Sequence, residues 1–410
     1  MQARERLIQN HAGAMLIVAT ALLVIGVVMV TSASARLDQS YLDVPVWQSV
    51  FGRQAVFAVV GFLLMILVAR WGQPLLAAPS ARKWGTLAVC AIAVITLAAT
   101  FVPGWSIARH GSQRWIQLSL SGVVLGFQPS ELAKIALIFV LAWWFGERAS
   151  DARSIKTGLL PAVAVIGLFV LVVGKEDFST SFLLAAVGGL MLLVAGCRIA
   201  HLVVLSFAGA CGLVGLLAAA PYRVERLVAF LDIWADARGA GYQPLQSLTT
   251  IASGGWFGTG LGAGIQKYGY LPESHSDFIF AQLCEEAGVV GGTLVVVLFC
   301  AFVYLGLRTM WAARTQFERQ IAFGLTACLG LQAVLNIAVV TVMAPTTGIP
   351  LPLVSAGGSG VLTYCLAIGI LAAIAGRAAG FSLRGSSQAK ACGSDSDSCI
   401  RFVGRRNDEW

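Results

Sequence analysis

The sequence predicts an all-α integral membrane protein: a polytopic bundle of about ten transmembrane helices, with a large extracytoplasmic loop between the seventh and eighth. Three observations carry that prediction. Of 410 residues, 58% are hydrophobic and only 12% charged, and the mean hydropathy is +0.81; soluble domains carry about 25% charge. Apolar runs recur along the chain, each near the ~20 residues that cross a bilayer. One stretch breaks the rhythm: residues 222–288 turn polar, Gly-rich and aromatic before the chain becomes apolar again at Phe278. Lipid cannot satisfy the backbone of such an insert, so it belongs in water or against a wet cavity.

In chain order, residues 1–11 form a charged lead, expected to be cytoplasmic. The first apolar run, about Ala12–Ser34, is long enough to span and lacks a small-residue cleavage site, so it reads as a membrane helix rather than a signal peptide. The second and third spans are about Gln54–Ala69 and Trp84–Val102, and a polar loop, Pro103–Gln128, follows. The fourth opens at Pro129, where a proline's missing N–H costs nothing. The fifth, sixth and seventh are about Gly158–Val173, Phe178–Ala195 and Ile199–Ala220; the eighth to tenth are about Phe278–Gly306, Ile321–Met343 and Gly360–Ala379. The membrane domain is therefore 12–379, the large loop 221–277, and the Gly/Ser/charged segment 380–410 reads as a disordered cytoplasmic tail.

Most of the 28 Lys and Arg fall on the side that holds both termini, which the positive-inside rule makes cytoplasmic. The basic residues of the large loop run against that rule and are the more interesting for it. The net charge of +8 fits anionic headgroups or a phosphate-bearing substrate, and equally fits orientation alone. The nine cysteines show no metal or disulfide spacing, and the Gly254–Gly262 run lacks the context of a phosphate-binding loop.

Ionisable groups supply the candidate chemistry. Glu131 and Lys134, three apart at the start of the fourth span, share a helix face; they are either a structural pair or the wall of a substrate cavity. Asp277, with Glu273 and His275 just before it, stands where the polar loop meets the eighth span. Arg109, Arg114, Arg223, Arg226 and Lys267 could hold phosphate. Asn336 lies within the ninth span, and the Pro/Gly-rich 345–360 segment describes irregular backbone on the same side as the large loop.

Several segments together resemble the FtsW/RodA/SpoVE (SEDS) family. They are Gly111-Ser-Gln-Arg114-Trp115-Ile, Gln128-Pro-Ser-Glu-Leu-Ala-Lys134, Tyr222-Arg223 through Asp236, Gly241-Tyr-Gln-Pro-Leu-Gln246-Ser247, Gln266-Lys267, Leu271-Pro-Glu273-Ser-His275-Ser-Asp277 with Glu285-Glu286, and Pro345 through Pro352, Ser355 and Gly357-Gly358-Ser359. The chain departs from the family pattern at Glu176-Asp177-Phe178-Ser179-Thr180 (usually Pro-Asp-Phe/Leu-Gly-Thr), at Thr347 (usually Lys), at Ala356 (usually Tyr) and at Cys284 (usually Gly).

The resemblance implies a peptidoglycan glycosyltransferase polymerising lipid II on the outer face of the cytoplasmic membrane, with Asp277 as general base. It implies Arg114, Lys134, Arg223 and Lys267 as groups for the pyrophosphate, and Glu131, Gln246, Glu273, His275, Ser355 and Ser359 as further substrate contacts. It also implies a class B penicillin-binding protein and other divisome or elongasome proteins as partners, besides membrane lipids and without nucleic acid. Gln266-Lys267 resembles the division branch more than the elongation branch. The resemblance names no certain cofactor; a divalent cation could assist. A lipid II flippase and a non-catalytic transpeptidase scaffold are the alternative functions.

Overall fold

The computed structural model describes residues 2–34, 49–100, 106–109, 112–120, 123–147, 153–175, 177–218, 230–239, 241–272 and 275–393, with Val102, Val224 and Val228, though not every side chain among them. Twelve helices are described: α1 (Gln2–Ser34), α2 (Val50–Trp71), the short α3 (Gln73–Ala77), α4 (Pro79–Ala99), α5 (Pro129–Glu147), α6 (Leu160–Gly174), α7 (Phe178–Val194), α8 (Ile199–Ala218), α9 (Tyr242–Gly254), α10 (Ile279–Ala312), α11 (Gln316–Val340) and α12 (Gly358–Gly393). Eight membrane-length apolar helical segments are found among the described residues, and α7 and α8 occupy the places expected for the sixth and seventh spans. The chain is a multi-pass membrane protein.

Local sequence sets the helix starts. Ser49 caps α2 by accepting from the Gly52 N–H, and Asp177 caps α7 by accepting from the Thr180 N–H. Thr315 opens α11 and accepts from the Glu318 N–H. Glu318 is fully buried; its carboxylate meets Arg377 Nε at 3.0 Å, and Arg377 Nη1 also donates to Gln73 O at 2.8 Å. This ties α11, α12 and the start of α3 at one end of the bundle. The centre is built by α5, α11 and α12, with α1, α2, α7 and α10 around them, while α4 shows most of its surface outward. Small residues let the backbones close up: a Cβ on Gly26 of α1 would lie 2.8 Å from Val354 Cα, so only glycine fits there.

Three features differ from the sequence reading. Within the loop expected at 103–128, β1 (Ser106–Arg109), β2 (Ser112–Leu120) and β3 (Val123–Phe127) form an antiparallel sheet of order β1-β2-β3. β2 carries a period-two sequence pattern, with Ile116, Leu118 and Leu120 alternating with Gln117 and Ser119. A Cβ on Gly126 would press on the Trp115 ring at 3.3 Å, so the sheet closes tightly over that residue.

The second is the expected eighth span, which is not one continuous crossing. Gly288 inside α10 has φ 67° and ψ −171°, a conformation open to glycine and strained for other residues. Across it the chain folds back: a Cβ on Gly292 would lie 2.8 Å from Cys284 Sγ and 3.5 Å from the Phe280 ring. In a straight helix, residues eight apart are separated by ~12 Å along the axis. The crossing therefore begins at Val289, and Ile279–Ala287 is a separate short helix packed beside its first turns. The last helix also runs past the expected Ala379 to Gly393, into the segment expected as a tail; 394–410 lie outside the described residues.

Gly288→Ala should lower the melting temperature in detergent by several degrees, because a Cβ there would meet Trp256 O and lie 2.5 Å from Gly258 N, at positive φ; such strain costs about 1–3 kcal/mol. Gly209→Ala, with open space around it, is the matched control and should melt as the wild type. Equal melting of both variants would show that the break tolerates a side chain.

Candidate active site

The α7 start, α9, the α10 break, the start of α12 and the 341–357 connection gather at one end of the bundle, opposite Glu318. Asp277 lies there, half-buried, directly before the short helix Ile279–Ala287. Its main chain is held from below: Asn336 Nδ2, from the last turns of α11, donates to Asp277 O and to Ile349 O, each at 2.8 Å. One buried amide thus joins two non-helical stretches. Ser355 adds a second brace, its Oγ donating to Ser276 O at 2.7 Å and accepting from Leu351 N at 2.8 Å. Ala356 N donates to His275 O at 2.9 Å. The carboxylate accepts from Ser276 Oγ at 3.1 Å. Gly348, at φ 72°, passes so close that a Cβ there would lie 3.3 Å from Asp277 Oδ2.

Four residues before Asn336, on the same face of α11, Gln332 makes the next layer. Its Nε2 donates to Pro350 O at 3.0 Å and to Tyr364 OH at 2.5 Å, and its Oε1 accepts from Lys134 Nζ at 2.8 Å. Lys134 Nζ also meets Glu131 Oε1 at 2.8 Å and lies 5.3 Å from the Tyr364 ring centre. All four side chains are buried. The expected Glu131–Lys134 pair is present, and Gln332 links it to the Pro350 carbonyl. The ammonium meets a carboxylate, an amide oxygen and an aromatic face.

A third cluster fixes the short helix from its other end. Glu285 Oε1 accepts from Ile265 N at 2.8 Å and Gln266 N at 3.3 Å. Glu286 accepts from Ser32 Oγ at 2.6 Å, Gly262 N at 3.0 Å and Gln282 Nε2 at 2.8 Å. Both carboxylates are buried. They hold the 258–266 loop onto the helix that follows Asp277.

The other expected residues divide. Ser359 Oγ accepts from Gln128 N at 3.2 Å, and Gln128 Nε2 reaches Asp177 Oδ2 at 3.2 Å, so the ends of β3 and α5 are joined to α12 and α7. Gln246 is half-buried on α9, while its neighbour Ser247 is fully buried and anchors α9 by donating to Val340 O at 2.6 Å. His275 is half-buried beside Asp277. The Arg114 and Lys267 side chains, and all of Arg223 and Glu273, lie outside the described residues. Among the described residues no three His, Cys, Asp or Glu side chains gather as metal ligands. Gln332 is the site residue that sequence reasoning missed. Its signal was a lone amide four residues from Asn336 in an apolar span, where polar side chains are expensive.

The pattern is a half-buried carboxylate, Asp277, at the end of a membrane bundle, held by loops whose carbonyls are bound by two amides of α11 and by Ser355. A family described as cell cycle proteins, FtsW/RodA/SpoVE, matches residues 13–379. The chain belongs to this family. Among its FtsW/RodA/SpoVE relatives, stage V sporulation protein E of Bacillus subtilis (strain 168) is 36% identical over 366 residues, covering 87% of this chain and 94% of that protein. A probable peptidoglycan glycosyltransferase FtsW of Geobacter sp. (strain M18) is 34% identical over 384 residues, covering 92% and 99%. Two solved structures share the fold. One comes from work titled as the structural coordination of polymerization and crosslinking by a peptidoglycan synthase complex, with a TM-score of 0.71 and 23% identity over 89% of this chain and 97% of that one. The other is the Thermus thermophilus rod shape determining protein RodA, with a TM-score of 0.58 and 22% identity over 88% and 95%.

Breaking the Glu131–Lys134 pair should cost more than removing it. Lys134→Met leaves a buried carboxylate unpaired, a loss of about 3–5 kcal/mol. The double variant Glu131→Gln/Lys134→Met should recover part of that stability in thermal melting. A double variant that melts no higher than Lys134→Met would remove charge pairing as the reason for the two residues.

Proposed function

We propose that this chain is a peptidoglycan glycosyltransferase that polymerises lipid II at the outer face of the bacterial cytoplasmic membrane, with Asp277 as general base. The observation that carries the reading is the placement of Asp277: a carboxylate at the bundle's end, with both flanking stretches braced by Asn336 and Ser355. Two relatives named as probable peptidoglycan glycosyltransferase FtsW align with this chain over 99% and 87% of their length. In the reaction, the 4-hydroxyl of the acceptor sugar attacks the anomeric carbon of the donor's MurNAc. Its proton passes to the Asp277 carboxylate as the new C–O bond forms. The bond to undecaprenyl pyrophosphate breaks with its electron pair leaving on the phosphate oxygen, and the configuration inverts. A single carboxylate is enough to activate the hydroxyl of an inverting transfer, by analogy with inverting glycosidases.

On this reading the Asp277 end is extracytoplasmic, both termini are cytoplasmic, and 12–379 is the catalytic membrane domain with 380–410 as its tail. Arg114, Lys134, Arg223 and Lys267 are the candidate groups for the pyrophosphate. A class B penicillin-binding protein is the partner, and septal synthesis in cell division is the process; a RodA-type elongation role is the alternative within the same chemistry.

Two experiments test this. Asp277→Asn keeps size and removes proton acceptance, so polymer from labelled lipid II should fall by ~10²–10⁴, while the variant stays monodisperse in detergent and binds its partner. Wild-type polymer from that variant would sink the assignment and turn attention to Glu273. No polymer from either form would favour a scaffold, and translocation in vesicles without polymer would favour a flippase. For orientation, a cysteine at Ser253 in a cysteine-free background should react with an impermeant thiol reagent in spheroplasts, and one at Ser387 should not. The opposite labelling would invert the topology.

A further inference from the structure

The turn that follows α9 has a construction that the chemistry at Asp277 does not explain. Four of its backbone groups bond to the break in α10. Gly255 O and Trp256 O accept from Val289 N at 3.0 Å and Val290 N at 3.2 Å, and Thr259 N and Gly260 N donate to Glu285 O at 2.9 Å and Glu286 O at 3.1 Å. These bonds satisfy the polar groups that the break sets free, as a break within a membrane requires. Glycines make the approach possible: a Cβ on Gly258 would run into Glu286 O. The turn is therefore fixed in place on α10.

Its large apolar side chains are exposed instead. Trp256 is 72% exposed, Phe257 85%, Leu261 69% and Ile265 63%. A turn with its main chain bonded to α10 and four large apolar groups exposed is unlike a water-facing loop, where scattered apolar residues are normal and clustered ones are not. These groups also continue a surface of known character. Val290, Leu294 and Val297 are exposed along the outer face of α10, a membrane span by length and composition. Val290 is the residue whose N–H the Trp256 carbonyl receives. The apolar run of α10 extends from Val289 to Leu307, before Arg308, which at 1.5 Å per residue gives ~28 Å, close to the ~30 Å of a hydrocarbon core. Trp256 thus lies at the level where that core ends, and tryptophan favours this interface. Val228, Leu231 and Trp234, at helical spacing in the same large loop, are exposed as well.

We propose that the turn Gly254–Ile265 is a membrane wedge: Trp256, Phe257, Leu261 and Ile265 enter the headgroup and upper acyl region of the leaflet at the Asp277 end. The occupant of this surface is phospholipid. The short helix Ile279–Ala287 is joined to Asp277 at one end and clamped to the wedge through Glu285 and Glu286 at the other. The wedge therefore sets the height of the carboxylate relative to the bilayer surface. This inference concerns a lipid contact and stands whether or not Asp277 is the base.

The test uses the full chain, without partner, in phosphatidylcholine vesicles. A genetically encoded environment-sensitive fluorescent amino acid replaces Phe257 in one variant and the exposed loop residue Asp236 in another. Shallow doxyl-labelled phospholipid should quench position 257 several-fold more than position 236, and aqueous iodide should quench 236 several-fold more than 257. Leu261, labelled in the same way, gives an independent reading if position 257 does not express. Strong iodide quenching with no doxyl quenching at both 257 and 261 would overturn the proposal. If adding a penicillin-binding protein were then needed to shield them, the surface would be a protein interface instead.

Discussion

Main chain that leaves a helix inside a bilayer must have its polar groups met by protein, because lipid offers none. That constraint governs the end of the bundle where Asp277 lies. Three non-helical stretches meet there: the turn after α9, the chain entering the short helix, and the 341–357 connection. Each is held by side chains whose main task is to bind backbone. Asn336 binds the carbonyls of Asp277 and Ile349, Gln332 that of Pro350, and Ser355 that of Ser276. Glu285 and Glu286 collect the N–H groups of the loop before them. Carbonyls go to two amides of α11 and to a hydroxyl of the 341–357 connection itself, and N–H groups of the loop after α9 go to carboxylates from the α10 segment. The division follows from donor and acceptor type, since a carboxylate can only accept.

The position of Asp277 follows from this arrangement. A general base must lie within hydrogen-bond reach of the proton it takes, and a substrate held by a lipid tail presents that proton at a set depth. A carboxylate on a free loop could not match such a depth. Here the residue is fixed by its own carbonyl, by its neighbour's carbonyl and by the helix that follows. Gln332 extends the same face of α11 to the Lys134–Glu131 pair, so that pair and the loop over Asp277 share one support. Loss of either amide would be felt in both layers.

The spans were legible in the sequence because ~20 apolar residues have few other uses. Asp277 could be singled out because a carboxylate at the change from polar loop to apolar run is conspicuous, while its role as a base was suggested only by the family resemblance. The sheet was not read: its alternation is short and lies in a segment judged only by its polarity. The break at Gly288 was hidden for a different reason. Gly-Val-Val-Gly-Gly is ordinary composition for a packed membrane helix, and only contacts distant in sequence, such as Trp256 against Val290, make one glycine a corner. Gln332 was hidden because a single amide in an apolar run has no pattern until its partners are known, whereas Asn336 and the Glu131–Lys134 pair could be noticed from residue type alone.

The departures from the family pattern are better understood by where they meet. Ser179 stands where glycine is usual and Thr347 where lysine is usual, and in the fold they are adjacent: Ser179 Oγ donates to Thr347 O at 2.6 Å. The next residue, Gly348, is the one that passes Asp277. The hydroxyl at 179 therefore restrains the backbone beside the carboxylate from the α7 side, while Asn336 restrains it from α11. A lysine at 347 would bring a flexible cation to that loop; this chain instead has a threonine, with a serine hydrogen bond across to α7. Ala356, in place of tyrosine, keeps only its backbone contribution, the N–H to His275 O. Cys284, in place of glycine, packs on Gly292 inside the fold-back of α10. Two of these four positions, Thr347 and Ala356, bear on the loops around Asp277 through main-chain groups, which survive side-chain replacement, whereas Ser179 acts through its hydroxyl. That is why the carboxylate can keep its setting while the residues around it change.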